Sequence, residues 1–259
     1  MKAAQLFLFF HFAFILDYRV EAQTQTIRLK GTEYALAFQD EFQGNSLDIS
    51  KWDFRTDSKH WSTQLPANVR QEQGMLFIDL KKEVSGDKKY TGAGIISKDT
   101  FLFGYYEARF KLPPGSGWHS SFWLMKHDGS GGTSPQASCL EIDVVENDSK
   151  NGDSYHINTH KWYGKHQDFG WKLIPSPGFN KEFQTVGCLM RKDSVFFFLN
   201  GKQVDNRNID TLRKNKMNIW LTSIASFLSN TTAVDDSKLP ASVVFDYVRF
   251  YEERKRVGQ

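Results

Sequence analysis

Cysteine is scarce: Cys139 and Cys188 are the only two in 259 residues, too few for a disulfide scaffold or a four-thiolate zinc site. Their spacing leaves a single bridge open. Long hydrophobic runs are also missing. The longest candidate, Leu6 to Leu16, covers 11 residues, against the roughly 20 that a membrane-spanning helix needs. Charge of one sign is not concentrated: 33 basic and 30 acidic residues leave +3, and apart from a short Arg249 to Arg256 tail the basic residues are spread. That argues against nucleic acid as a partner, which requires a basic face. No stretch carries a clean helical apolar stripe, and the best helical candidate is a turn or two around Asp210 to Lys214. Repeats, low-complexity segments and interdomain linkers are absent.

What is present is apolar and aromatic material, 40% and 15% of the chain, enough for one large core in a single domain of the long all-β kind. Residues 1–22 read as a signal peptide: Lys2, the apolar run, then Val20-Glu21-Ala22 as a small-residue cleavage site before Gln23. The expected mature protein, residues 23–259, is secreted, monomeric and without a membrane anchor. Two N-glycosylation acceptors follow, Asn147-Asp148-Ser149 and Asn230-Thr231-Thr232. The second reads as an exposed loop and the first as unused.

Short runs with period-two alternation or dense β-branched and aromatic content fill most of the mature chain. They are Met75 to Leu80, Gly104 to Leu112, Ser121 to Met125, Leu140 to Glu146, Ser154 to Trp162, Ser194 to Leu199, Ile219 to Ala225 and Val243 to Tyr251. Turn formers separate them, as in Pro113-Pro114-Gly115-Ser116-Gly117. The pattern predicts an all-β fold, an antiparallel β-sandwich of jelly-roll type.

The chemistry concentrates in Glu141-Ile142-Asp143-Val144-Val145-Glu146. On a regular strand Glu141 and Asp143 share a face and Val145 would follow them. A β-bulge would instead return Glu146 to that face. Clustered acids repel, and they make chemical sense when they hold different protonation states. A retaining glycosidase needs such a set, with an ionised nucleophile about 5 to 5.5 Å from a protonated acid. A solubilising strand edge or a carboxylate calcium site would use the same residue types.

This hexapeptide resembles the bulged E-x-D-x-x-E signature of glycoside hydrolase family 16, and the resemblance covers nearly all of the mature chain. Phe38-Gln39-Asp40-Glu41-Phe42 with Leu47-Asp48 and Lys51-Trp52 is similar to the family's opening segment. Phe103 to Pro113, then Trp118 and Phe122-Trp123-Leu124-Met125, resemble the strands leading to the cleft. Phe183 to Leu189, Phe196 to Gly201 and Phe245 to Tyr251 resemble the closing strands. The resemblance implies a concanavalin A-like jelly roll with a substrate cleft on its concave face, Glu141 as nucleophile, Glu146 as general acid/base and Asp143 between them. Charge on Glu141 and Asp143 would keep Glu146 protonated, or Asp143 would share a proton with a neighbour and the trio would titrate as a unit.

Two positions depart from the family pattern. Gly94 stands where many members carry an Arg that contacts sugar hydroxyls. His119 follows Trp118 where many glucan-cleaving relatives have Pro. Both shift the expected substrate from β-1,3-glucan toward a β-galactan such as an agar-type polymer.

Trp118, after a flexible Gly-Ser-Gly turn, is a candidate sugar platform, and Trp123, inside an apolar run, a core residue. Trp162 is a second candidate platform. His156 and His160 form an H-x-x-x-H pair, but on a strand four residues span roughly 13 Å, too far for one zinc ion. Asn158 and His160 share the His156 face and are expected to bond substrate or Glu146. The resemblance also implies a structural calcium held by Asp246 and the main-chain oxygen of Gly74 on the convex side, with a salt bridge as the other use of Asp246. No cofactor is expected in catalysis. The function implied is an endo-acting hydrolase of a β-linked polysaccharide; a non-catalytic carbohydrate-recognition protein and a transglycosylase are the competing readings.

Overall fold

A computed structural model describes residues 25–149, 152–228 and 232–254. The expected leader and the Asn230 acceptor fall outside them. Alternation builds the strands. In Met75–Leu80, Leu76, Ile78 and Leu80 are fully buried and the residues between them only partly. Gly104–Lys111 likewise turns Tyr106, Ala108 and Phe110 inward.

Two sheets result. A nine-stranded sheet runs in the order Thr26–Leu29, Thr32–Asp40, Ala241–Glu253, Gly104–Lys111, Gln184–Met190, Ser194–Leu199, Lys202–Asn208, and Met75–Leu80 joins it beside Ala241–Glu253, carrying Val69–Glu72. A ten-stranded sheet runs Gln167–Asp168, Ser154–Lys161, Leu140–Asp148, Trp118–Met125, Asn218–Ala225, Tyr90–Ser97, Ser62–Gln64, Ser58–Lys59, with Lys172–Pro175 and Trp52–Phe54 beside it. Pairing is antiparallel throughout the described strands except where Ser62–Gln64 lies parallel to Tyr90–Ser97. The result is the antiparallel β-sandwich that the alternation predicts.

The facing surfaces share one core. Phe110 of the first sheet stacks on Phe245 with centroids 4.7 Å apart and meets Phe179 at 4.9 Å. Phe122, Leu124, Ile142 and Val144 of the second sheet belong to the same cluster. Burying one such aromatic contributes on the order of 3–5 kcal/mol against its Ala variant, so the sandwich fixes the sheet that carries the acids. The other face of the ten-stranded sheet presents the alternate residues, among them Ser121, Trp123, Met125 and Thr222, and forms the floor of a cleft.

Two expectations change, and the question of a disulfide is answered. The helical turn at Asp210 to Lys214 is a non-helical turn in which the Leu212 amide bonds the Ile209 carbonyl at 3.0 Å; so short a segment is too small to repay helix nucleation. Cys139 and Cys188 are both free, Cys188 buried in the Gln184–Met190 strand of one sheet and Cys139 just before the Leu140–Asp148 strand of the other. Trp118 is only 1% exposed and packs in the core, edge-on to Tyr90 at 6.1 Å. The sheet register explains the last of these: with Ser121 and Trp123 on the cleft face, Trp118 falls on the opposite one. Asn147 is also buried, its amide donating to the Ser154 carbonyl at 2.7 Å.

Candidate active site

The bulge lies where the acid spacing requires it. Against the Trp118–Met125 strand, Glu141 pairs with Met125, Asp143 with Trp123, Val145 with Phe122 and Glu146 with Ser121, so Val144 has no opposite number. Against Ser154–Lys161, Asp143 pairs with Asn158 and Glu146 with His156, leaving two valines opposite Ile157. Both valines are buried. Their apolar side chains enter the core together, and Glu146 returns to the face of Glu141 and Asp143.

Glu141, Asp143 and Glu146 line one cavity of about 160 Å³, with Trp162 at one side and Arg55, Lys59 and His60 at the other. Trp123 forms part of its lining, stacked on Trp220 at 4.6 Å with its indole N–H donating to Thr222 Oγ1 at 3.1 Å. Within the Trp118–Met125 strand it is therefore Trp123, not Trp118, that lines the cleft.

Trp162 is where the sequence placed it, beside the acids, and it does more than offer a ring. Its Nε1 donates to Glu141 Oε2 at 2.6 Å, and its ring stacks on His166 at 4.1 Å and on His160 at 5.9 Å. His160 Nε2 lies 3.3 Å from Asp143 Oδ2 and 3.0 Å from the Asn158 amide nitrogen, which also donates to Asp168 Oδ2 at 3.3 Å. Asn158 and His160 thus serve Asp143 and the sheet edge. The residues beside Glu146 are His156, paired across the sheet, and His119, whose Nε2 is 3.3 Å from Glu146 Oε1.

Burial dominates the electrostatics. It raises the Glu141 carboxyl above its usual range, opposed by the charge of His160 and the Trp162 hydrogen bond. Asp143, buried and flanked by Glu146 and Glu141, is raised well above the carboxylate range. Burial would lower His160, but the contact with Asp143 and the charges of Asp143, Glu141 and Asp168 outweigh it and hold the imidazolium up to about 9. Asp143 and His160 together therefore retain a proton and titrate as a unit. Lys59 faces the trio from the other wall; burial and the charge of Arg55 lower its pKa, and Asp57, Glu141 and Glu146 pull it back up.

Three residues on or beside this wall escaped sequence reasoning. Arg55 is 3% exposed and makes a bidentate pair with Asp57 at 2.7 and 2.9 Å. Its amide bonds the Gly94 carbonyl, and a Cβ added at Gly94 would lie 3.2 Å from the Arg55 Cβ. Arg55, which lines the cavity, thus stands directly beside Gly94. Lys59 carried no motif. Phe227, half exposed and against His60 at 4.3 Å, had only its place in a turn-rich loop as a signal.

For metals, Glu141, Asp143 and His160 are the one group among the described residues whose ligand atoms come within 4.8 Å of one another. The His160–Asp143 contact and the shared proton fit acid–base work with the same atoms. At the calcium position, Asp246 is ion-paired with Arg109, and Gly74, at φ +72°, follows Gln73 at φ +53° in the turn that closes the Val69–Glu72 and Met75–Leu80 hairpin. A cation there would have to take Asp246 from Arg109.

Comparison with known proteins agrees with this geometry. Residues 34–252 match the family model described as the GH16 domain of beta-porphyranases A–D. A glucan endo-1,3-beta-glucosidase of Cryptopygus antarcticus is 32% identical over 44% of this chain and 46% of its own. Beta-porphyranase E of Zobellia galactanivorans is 33% identical over 49% of each chain. The chain spans about half the length of these two relatives. In fold it is similar to the endo-beta-1,3-glucanase of Pyrococcus furiosus, with a TM-score of 0.78 and 22% identity over 89% of this chain and 98% of that one. With the bulged acid strand in its sandwich and the family model matched across 219 residues (252 − 34 + 1), the chain belongs to glycoside hydrolase family 16.

Proposed function

We propose that this chain is a secreted, retaining endo-glycosidase that hydrolyses internal β-linkages of a polysaccharide by double displacement. The observation that carries the reading is the bulge at Val144-Val145, which brings Glu141, Asp143 and Glu146 to one cavity. Glu141, held through Oε2 by Trp162, attacks the anomeric carbon while Glu146 protonates the departing oxygen. Water deprotonated by Glu146 then releases the sugar. The proton retained by Asp143 and His160 limits the negative charge beside Glu141 and so favours the ionised nucleophile.

We place β-galactans first among substrates and β-1,3-glucans second. Support comes from the porphyranase-type family model and from a wall in which Arg55, rather than a residue at 94, carries the guanidinium. Secretion rests on the leader-like residues 1–22. The test is a fresh digest followed by proton NMR, over a panel that includes agar, porphyran and laminarin. The first product should be the β anomer, and Glu141→Gln should lose activity by orders of magnitude while keeping most polysaccharide affinity. An initial α-anomer signal would sink the double-displacement assignment, and binding without products from any β-glycan would make the chain a recognition protein.

A further inference from the structure

We propose that His119, oriented by Asp148, is a positioning residue that shares the acid–base proton of Glu146. The inference rests on the reading of Glu146 as acid/base. The register places His119 opposite Asp148 and Ser121 opposite Glu146, all on the cleft face. The imidazole consequently lies between two carboxylates, Nδ1 3.0 Å from Asp148 Oδ1 and Nε2 3.3 Å from Glu146 Oε1. Its side chain is 13% exposed and that of Asp148 6%.

Asp148 fixes the tautomer. With Asp148 Oδ1 as the acceptor, Nδ1 carries hydrogen and Nε2 is turned to Glu146. Nε2 then accepts from a carboxylic Glu146 or donates, as imidazolium, to its carboxylate. In both forms the pair holds one proton. Burial opposes charge on His119, but the hydrogen bonds and charges of Asp148 and Glu146 outweigh it and hold the imidazolium up to about 10. Described groups around the pair include Glu141 and Asp143 on the same strand, His156 across the sheet, and Lys59 and His60 on the opposite wall. Charge on His119 contributes to lowering His60.

In the first half-reaction the proton leaves the pair, through Glu146, for the glycosidic oxygen as the C–O bond breaks. In the second, the oxygen of water attacks the anomeric carbon, the C–O bond to Glu141 breaks to free its carboxylate, and the water's proton passes to Glu146, so the pair is restored. A pair that keeps its proton into alkaline solution extends the pH range of the acid step beyond that of a lone glutamic acid.

The test compares His119→Gln, which keeps a polar group but cannot titrate, and His119→Ala with the parent. On polysaccharide, the alkaline limb of kcat/KM should move down by one pH unit or more in both variants, with KM changed less than threefold. On a dinitrophenyl glycoside, whose leaving group needs no proton, attack by Glu141 should be nearly unaffected. An unmoved alkaline limb, or equal losses on both substrates at every pH, would overturn the proposal. A second readout is independent of turnover: nitrogen NMR of His119 in the whole protein should show the imidazolium persisting above pH 8 and losing at least one unit in Glu146→Gln. An unchanged titration in that variant also overturns it. If the parent cleaves no β-glycan while this NMR coupling is present, the glycosidase reading fails and the shared proton stands.

Discussion

Trp162 Nε1 donates to Glu141 Oε2 at 2.6 Å, across the step from the end of the Ser154–Lys161 strand to the Leu140–Asp148 strand. One carboxylate oxygen of the candidate nucleophile is thereby held and its charged form favoured. Trp162→Phe keeps the ring and removes the donor. Since a hydrogen bond to a charged group is worth about 1.5–3 kcal/mol, kcat/KM should fall roughly 10- to 100-fold, and the acid limb of the pH profile should move up. Steady-state kinetics against pH checks this. A loss confined to KM would make Trp162 a sugar platform alone.

Asp143 gives a prediction about stability. Burial and its two acidic neighbours raise its folded-state pKa well above the ordinary value of 3.8. Below that value the carboxyl is protonated in folded and unfolded chains alike and costs nothing. As pH rises past it, the unfolded chain ionises first and the fold loses stability until Asp143 ionises as well. Asp143→Asn should therefore match the parent's melting temperature near pH 3.5 and exceed it increasingly toward pH 8, with activity reduced, a trade known for strained sites. Melting curves at several pH values decide it; a variant less stable at pH 8 would show that Asp143 is held ionised.

The sandwich and the acid strand were legible because both depend on local order. Met75–Leu80 alternates cleanly and Ser194–Leu199 is dense in β-branched and aromatic residues, and the bounds of both match the structure residue for residue. The one-residue offset of Glu146 from the alternation of Glu141 and Asp143 pointed to the bulge, and the pairing of Glu146 with Ser121 shows it. What depends on register between distant strands was not legible. Trp118 follows a Gly-Ser-Gly turn and Trp123 lies in an apolar run, and only the pairing across the sheet, as of Trp123 with Trp220, tells which faces the cleft. Arg55 shares a wall with Gly94 through a contact across 39 residues (94 − 55). His119 was visible as a departure from the family pattern, but its place between Asp148 and Glu146 required the hairpin register.

Trp118 tests that distinction directly. It is fully buried in the shared core, so Trp118→Ala should destabilise the fold by about 3–5 kcal/mol. For a domain of this size that is roughly 6–20 °C in melting temperature. Below the new transition, polysaccharide affinity should be nearly unchanged. An affinity loss with an unchanged melting temperature would return Trp118 to the cleft as a sugar platform.

The last prediction couples Arg55 to Gly94. A Cβ at Gly94 would come within 2.7 Å of Thr222 Cγ2 and 3.2 Å of the Arg55 Cβ, in a wall where Arg55 is 3% exposed. Gly94→Ala therefore has to displace Arg55 or the Asn218–Ala225 strand. Arg55→Lys keeps the charge but loses the fork that makes two bonds to Asp57, leaving that carboxylate partly unmatched. If Arg55 shapes the sugar-binding wall, each single change should raise KM for polysaccharide about tenfold and lower the melting temperature by several degrees. Because both act on the same guanidinium, the double variant should lose much less than the product of the two, a coupling of roughly 0.5–3 kcal/mol in a mutant cycle. Fully multiplicative KM effects would mean that Gly94 and Arg55 serve separate parts of the cleft, and that the missing guanidinium at position 94 is not replaced from position 55.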